Sequence, residues 1–133
     1  MLRFRDLLNF PSFYSKRQDS VKKVKSQITG VNKNSENNTI EINGSSGKYS
    51  QTITIFSDDI RPNVAVQITC TCESFKYEFS HAVFKNESLI DPINFRENIV
   101  KKPLDKNKYQ IPSGCKHIIA LANLTLKKKG QLL

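Results

Sequence analysis

The sequence predicts an α+β protein, built from a small antiparallel β-meander, a central helix and a C-terminal helix. Apolar and polar residues alternate in the first half of the chain, as they do in half-buried strands. In the second half, apolar residues recur at helical spacing. Turn-forming residues separate the alternating segments. A chain of 133 residues has room for one domain with one modest core.

The first 20 residues differ in composition from the rest and are predicted to form an N-terminal docking arm. Apolar and charged residues are mixed there, and Pro11 ends a short, partly amphipathic stretch. Exposed clusters of large apolar side chains are typical of docking surfaces. The residues predicted to contact a partner are Phe4, Phe10, Phe13 and Tyr14. The alternative is that this arm folds back onto the core of its own chain.

From Val21 onward the pattern becomes that of strands. The segments predicted to form the meander are 24–30, 39–42, 48–56 and 64–72. Asparagine and glycine in segment 43–47 predict a turn, because both residues tolerate a positive φ. Side chains two residues apart share one face of a strand, so Cys70 and Cys72 are expected to point inward with Val66 and Ile68.

Two helices are predicted in the second half of the chain. The central one covers residues 73–89, with Phe75, Phe79 and Val83 at helical spacing, and this aromatic stripe is expected to be core rather than a base-stacking surface. Residues 90–110 lack a clear period and are predicted to form a long insertion. In the C-terminal helix, Ser113 is the expected N-cap and Gly130 the expected end.

The three cysteines of the chain belong to two short motifs. Cys70 and Cys72 are separated by one threonine, and Cys115 and His117 by one lysine. Three thiolates and an imidazole are the ligand set of a structural zinc site, so Zn²⁺ is the predicted cofactor and would staple the sheet to the last helix. Alternatively, the cysteines are buried apolar residues. A disulfide is disfavoured, an iron–sulfur cluster would more typically use four cysteines, and His81 is held in reserve as a ligand.

Catalysis is not expected from this sequence. Four protein ligands would fill the tetrahedron and leave no position for an activated water. The sequence contains no zinc-deaminase signature, no glycine-rich phosphate loop and no Ser/His/Asp pattern. We therefore expect a protein that is not an enzyme and has no small-molecule substrate.

The formal net charge of +9 favours acidic partners such as nucleic acid or an anionic protein surface. The residues predicted to contact nucleic acid are Lys22, Lys23, Lys25, Lys101 and Lys102. No apolar run approaches the length of a membrane span, so no membrane partner is expected. The N-terminal residues lack the features of a signal peptide, and the cysteine count is odd. A reducing, intracellular place of folding is the expectation.

The two ligand pairs, with strands before them and an apolar helix after them, resemble the SWIM zinc finger. The resemblance covers residues 48–126 and implies zinc-ligand roles for Cys70, Cys72, Cys115 and His117. Residues 21–133 would then be a SWIM-like zinc-binding domain with an insertion at about 90–110. Members of this family are thought to bind DNA or proteins. The spacer between the two ligand pairs is longer here than is usual in the family.

A closer resemblance is to small stand-alone proteins of tailed bacteriophages. It rests on the run CTCESFKYEF from Cys70 to Phe79 and the run GCKHIIAL from Gly114 to Leu121. It implies a virion protein, assembled in the cytoplasm of a bacterial host.

Two functions follow as expectations. The first is a zinc-stabilised structural or interaction protein of the phage particle, at the portal vertex or the head–tail region, with other virion proteins as partners. The alternative is a DNA-binding accessory protein that acts through its basic SWIM-like finger.

Overall fold

The computed structural model describes residues 1–11, 17–90 and 112–132. Its centre is an antiparallel four-stranded sheet in the order β1-β2-β3-β4. The strands are β1 (Gln27–Asn34), β2 (Thr39–Ser46), β3 (Tyr49–Ile55) and β4 (Val66–Cys70). Each strand pairs with the next along the chain, so the predicted α+β class with a β-meander is confirmed.

One face of the sheet carries the core. Ile40, Ile42, Ile53, Ile55 and Ile68 are all fully buried there. The opposite face carries half-buried or exposed polar residues. This is the alternation that one buried and one solvated face impose on strands, and it explains why the sequence predicted β3 and β4 well.

The turn predicted at residues 43–47 is shorter than expected. Residues 43–46 continue β2, and only Gly47 has a positive φ, of 60°. Asn43 stays in the strand because its side chain bonds across the polar face: its amide donates to Glu41, and its carbonyl oxygen accepts from Thr52. The hairpin therefore closes between Ser46 and Tyr49, which face each other in the ladder.

The N-terminal residues fold onto the body of the chain. A short 3₁₀ helix covers Phe4–Leu7, and its backbone is bonded to the segment just before β4 through Phe4 N–H to Val64 O. Phe4 is fully buried and Phe10 nearly so. The prediction that these two phenylalanines dock a partner is therefore wrong for residues 1–11, because both rings are already buried in the core of their own chain. Phe13 and Tyr14 lie outside the described residues.

The central helix is shorter and less regular than predicted. A π-helical segment, Phe75–Phe79, leads directly into the α-helix Ser80–Lys85. Glu87 has a φ of 59°, which ends the helical path. The next residues pair with β4: Ser88 O accepts from Ile68 N–H, and Ile90 N–H donates to Ile68 O. Residues 86–89, predicted to be helical, therefore belong to the sheet edge and the turn before it. We call Gln18–Val21 α1 and Ser80–Lys85 α2.

The C-terminal helix α3 covers Lys116–Lys127, and a further turn of helix, α4, covers Lys129–Leu132. The N-cap is Cys115, not Ser113, whose hydroxyl donates to Gly114 O instead. Gly130 lies inside α4 and does not end the helix as predicted; Lys128 is the C-cap of α3. Helix α3 packs on the apolar face of the sheet so closely that a Cβ on Gly44 would come within 2.6 Å of Leu121 Cδ1.

Several predictions concern residues outside those described. One is the insertion at about 90–110, of which the structure describes only Ile90. The others are the nucleic-acid contacts predicted for Lys101 and Lys102. Among the described helices, none combines the length and apolarity that crossing a membrane requires.

Candidate metal centre

Four soft donor atoms converge at the junction of the sheet and the last helix. The Sγ atoms of Cys70, Cys72 and Cys115 and a ring nitrogen of His117 all lie within 4.8 Å of one another. All four residues are buried, and none of the cysteines forms a disulfide. The structure thus brings together the residues that the sequence predicted, as one Cys₃His group that could hold one zinc ion.

The backbone explains how each donor reaches the cluster. Cys70 is the last residue of β4, on the face that carries the core. Cys72 follows two residues later, at the entry to the π-helical segment. Cys115 is the N-cap of α3, with φ −74° and ψ 175°, so its extended backbone lies outside the helix. His117 is already in the first turn of α3, and this change of backbone at the cap lets residues 115 and 117 converge.

The size of the cluster fits a tetrahedral ion. With metal–sulfur bonds of about 2.3 Å and a metal–nitrogen bond of about 2.0–2.1 Å, the sulfur–nitrogen edges of a tetrahedron are about 3.6 Å. Nδ1 of His117 lies 3.9 Å from Sγ of Cys70 and 3.9 Å from Sγ of Cys115. Nδ1 is therefore the ring nitrogen that faces the thiols. Three sulfurs and one imidazole nitrogen in a closed set favour Zn²⁺ over Mg²⁺ or Ca²⁺, which prefer oxygen.

Two N–H groups point at the sulfurs. Gln51 Nε2 donates to Cys70 Sγ at 3.7 Å, and the backbone N–H of Phe75 donates to Cys72 Sγ at 3.3 Å. Ser46 holds the buried glutamine, since its hydroxyl donates to Gln51 Oε1. Three thiolates around Zn²⁺ carry a net charge of −1, which such donors stabilise.

The thiols influence one another strongly. Hydrogen bonds from Cys115 and Cys70 hold the pKa of Cys72 far below its ordinary value of 9.0. Burial, together with Cys70 and Cys72, raises the pKa of Cys115. The pKa of Cys70 is raised to about 11, because the hydrogen bond with Cys115 lowers it less than the contact with Cys72 and burial together raise it. Ionising all three thiols at this distance costs much free energy unless a cation neutralises their charge. A divalent metal ion would supply that positive charge.

The predicted nucleic-acid contacts that the structure describes are not part of the cluster. Lys22, Lys23 and Lys25 are exposed, beside α1. The side chain of His81 is not among those described, so its reserve role stays a prediction.

Sequence reasoning missed two residues that support the cluster. Gln51 is a polar residue on the buried face of β3. A polar residue at a position where the alternation predicts an apolar one could have indicated its supporting role. Tyr49 packs on the ring of His117, with centroids 5.1 Å apart, and its place two residues earlier on the same face was a weaker signal.

In a comparison with protein families, the SWIM zinc finger family model matches residues 55–83 and 112–125. These two segments cover about a third of the chain and contain all four donor residues. No curated protein and no solved structure gives a significant match to the chain. The matched segments are those that the Cys₃His cluster joins. Residues 55–83 and 112–125 are therefore similar to the SWIM zinc finger in sequence, and they hold its four expected ligands in one cluster.

Proposed function

We propose that this chain is a non-enzymatic interaction protein, in which Cys70, Cys72, Cys115 and His117 hold one structural zinc ion. The observation that supports this most strongly is the convergence of all three cysteines and one histidine in a single buried cluster. When bound, the ion supplies charge neutralisation and four bonds. Structural zinc sites contribute about 10–16 kcal/mol of apparent binding free energy, which is comparable to the whole stability of a small domain.

The donor set argues against a catalytic metal. Catalytic zinc sites keep a position for water or substrate beside three protein ligands, whereas this cluster offers four protein donors. The donors are also buried, so a substrate has little access to them. The role that follows is to hold β4 and α3 together and so present the surface around them to a partner.

Native mass spectrometry of the purified chain tests the zinc assignment. We expect one zinc per chain, retained through desalting and lost after denaturation in acid. The proposal is overturned if the chain without any transition metal has the same thermal stability as the zinc-loaded chain.

The finer proposal is that the protein belongs to a tailed-phage particle, at the portal vertex or the head–tail region, with other virion proteins as partners. Its support is the likeness of the runs from Cys70 to Phe79 and from Gly114 to Leu121 to small phage proteins. Mass spectrometry of purified particles from a phage that encodes the chain tests this. We expect the protein in the particle, and its absence from complete particles would contradict the proposal.

A second candidate function is that of a DNA-binding accessory protein. The observation that favours it is the exposed group Lys22, Lys23 and Lys25, in a chain of net charge +9. A DNA-binding role predicts that the logarithm of the binding constant falls in proportion to the logarithm of the salt concentration. If affinity for duplex DNA is absent at low salt, this candidate fails.

A further inference from the structure

Lysines from three distant parts of the chain meet at one concavity beside the metal cluster. We call it the basic pocket; its volume is about 420 Å³. The residues that matter in its wall are Lys23, Lys25, Lys48, Tyr49, Lys116 and His117. They come from the segment after α1, the β2–β3 turn and the first turn of α3. The sequence showed Lys23 and Lys25, but not that Lys48 and Lys116 join them.

Among the described residues, no acidic side chain compensates the charges of the basic pocket. All four lysines are exposed. Within residues 1–11, 17–90 and 112–132, none of the four forms an ion pair, and no aspartate or glutamate lines the pocket. With zinc bound, the cluster contributes a charge of −1 against four ammonium groups, so a surplus of about +3 remains. Neutralising the thiolates therefore does not account for four lysines.

The pocket wall also offers a hydrogen-bond donor. Nδ1 of His117 faces the thiols, so Nε2 would carry the ring proton when Nδ1 is a ligand. Metal-bound histidines almost always donate this second N–H to an acceptor. In the part of the chain that the structure describes, Nε2 of His117 has no protein acceptor, although the His117 ring lines the pocket. An anion in the pocket is an acceptor of the right charge.

We propose that the basic pocket binds phosphate groups, presented either by a nucleic-acid strand or by a free polyphosphate. Its volume lies in the range of small-ligand sites, so one or two phosphate groups fit it. A phosphate concentrates charge and several acceptor oxygens in one group, whereas an acidic peptide would have to insert several carboxylates into the same concavity. The lysine ammonium is a compact point charge that suits phosphate.

This inference deepens the second candidate function and rests on it for the nucleic-acid source of the phosphate. It also places the contact at the metal cluster: Lys116 lies between Cys115 and His117, and Lys48 precedes Tyr49, which packs on the His117 ring. Lys48 Nζ lies 5.3 Å from the centroid of the Tyr49 ring, so one face of that ring is already partnered by a cation. Charge, rather than base stacking on Tyr49, is therefore the basis of the proposal.

The test uses the full-length, zinc-loaded chain and a matched pair of double variants. Lys25→Gln with Lys48→Gln removes two charges from the pocket, and Lys33→Gln with Lys85→Gln removes two exposed charges outside it. Lys116 is left intact because of its place beside two donor residues. The probes are a short single-stranded oligothymidine, inorganic tripolyphosphate and poly-glutamate, and the readout is affinity by anisotropy or calorimetry. Zinc content and circular dichroism are checked for each variant.

We expect the pocket variant to lose about tenfold in affinity for oligothymidine, with the salt slope reduced by about 1.4, as two lost phosphate contacts predict for a single strand. The outside variant should lose less than about twofold. A loss shared by tripolyphosphate supports a free polyphosphate as well, and a loss confined to oligothymidine supports a nucleic-acid strand alone.

Three outcomes overturn the proposal that the basic pocket binds phosphate groups. The first is an equal loss in both double variants, which leaves nucleic-acid binding in place but assigns it to net charge. The second is poly-glutamate binding as tightly as either phosphate probe, which would indicate an acidic protein partner. The third is that the wild-type chain binds neither phosphate probe, which overturns the pocket and its nucleic-acid role together.

Discussion

Sγ of Cys70 lies 3.9 Å from Nδ1 of His117, although 47 positions separate the two residues along the chain. Cys70 ends the edge strand β4 of the central sheet, and His117 lies in the first turn of helix α3. A metal shared by these atoms would cross-link the two layers of the fold at the point where they meet. Both the stability of α3 and the shape of the basic pocket, whose wall includes His117, would then depend on the same ion.

Replacing Cys115 by serine should abolish tight zinc binding and detach or unfold α3. Cys115 is fully buried and is the N-cap of that helix, so its loss removes a ligand at the cross-link itself. We expect native mass spectrometry to find no retained zinc, and hydrogen exchange to show faster exchange of the α3 amides. The loss of stability should be a large part of the stability of the whole domain, because structural zinc sites supply about 10–16 kcal/mol of apparent binding free energy.

The control for this variant lies on the same helix. Leu126 is 40% exposed, so Leu126→Ala should keep its zinc and its thermal stability nearly unchanged. If Cys115→Ser still holds one zinc tightly, the ligand assignment is wrong.

Replacing Phe4 by alanine should destabilise the whole domain by about 3–5 kcal/mol, the cost of emptying a buried phenylalanine site. Phe4 is fully buried, and its backbone N–H donates to Val64 O, two residues before β4. Denaturant unfolding measures the change. Phe56→Ala is the matched control, because Phe56 is 39% exposed and should cost much less. Equal effects of the two substitutions would show that residues 1–11 do not belong to the core.

The meander and the donor set could be predicted from local patterns. Alternation fixes which face of β4 is buried, so Cys70 could be placed on that face without knowing the fold. The co-occurrence of two short motifs that use every cysteine then indicated one shared ion. The position of the first ten residues could not be predicted in this way, because the residues that Phe4 and Phe10 pack against lie far away in the sequence. Composition alone could not separate a docking arm from a segment of the core.

Other differences have local causes that the sequence hides. Side-chain bonds across the polar face keep Asn43 in β2, although asparagine is typical of turns. The π-helical turn after Cys72 breaks the 3.6-residue period on which the central helix was predicted. The basic pocket depends on tertiary structure, since it joins Lys48 and Lys116, which no local pattern connects.

Replacing Gly114 by alanine should disturb the metal cluster by a steric route. A Cβ at this position would lie 2.6 Å from Cγ2 and 2.9 Å from Cβ of Ile118, too close for either atom. Helix α3 or Cys115 must move, so we expect lower zinc affinity and a loss of about 1–3 kcal/mol in stability, as overpacking typically costs. Zinc competition and thermal unfolding measure the two effects.

Two comparisons sharpen this test. Gly130→Ala places a Cβ where no heavy atom lies within 4 Å, in helix α4, and should be neutral or slightly stabilising. Combining Gly114→Ala with Ile118→Ala removes the closest clashing atom, so the double variant should lose less than the sum of its parts. Strict additivity would show that the contact with Ile118 is not the cause.

Replacing Gln51 by leucine should weaken zinc binding while the fold persists. Gln51 is buried, and its Nε2 donates to Cys70 Sγ, so leucine removes a hydrogen bond to a thiolate without changing the side-chain volume much. Loss of such supporting groups typically costs 10–100-fold in metal affinity, and about that range is expected here. Competition with a chromophoric chelator measures the affinity, and circular dichroism of the zinc-loaded variant checks the fold. Gln67→Leu, on the opposite face of the sheet, is the matched control and should leave zinc affinity unchanged. An unaltered affinity in the Gln51 variant would mean that the N–H does not stabilise the Cys70 thiolate.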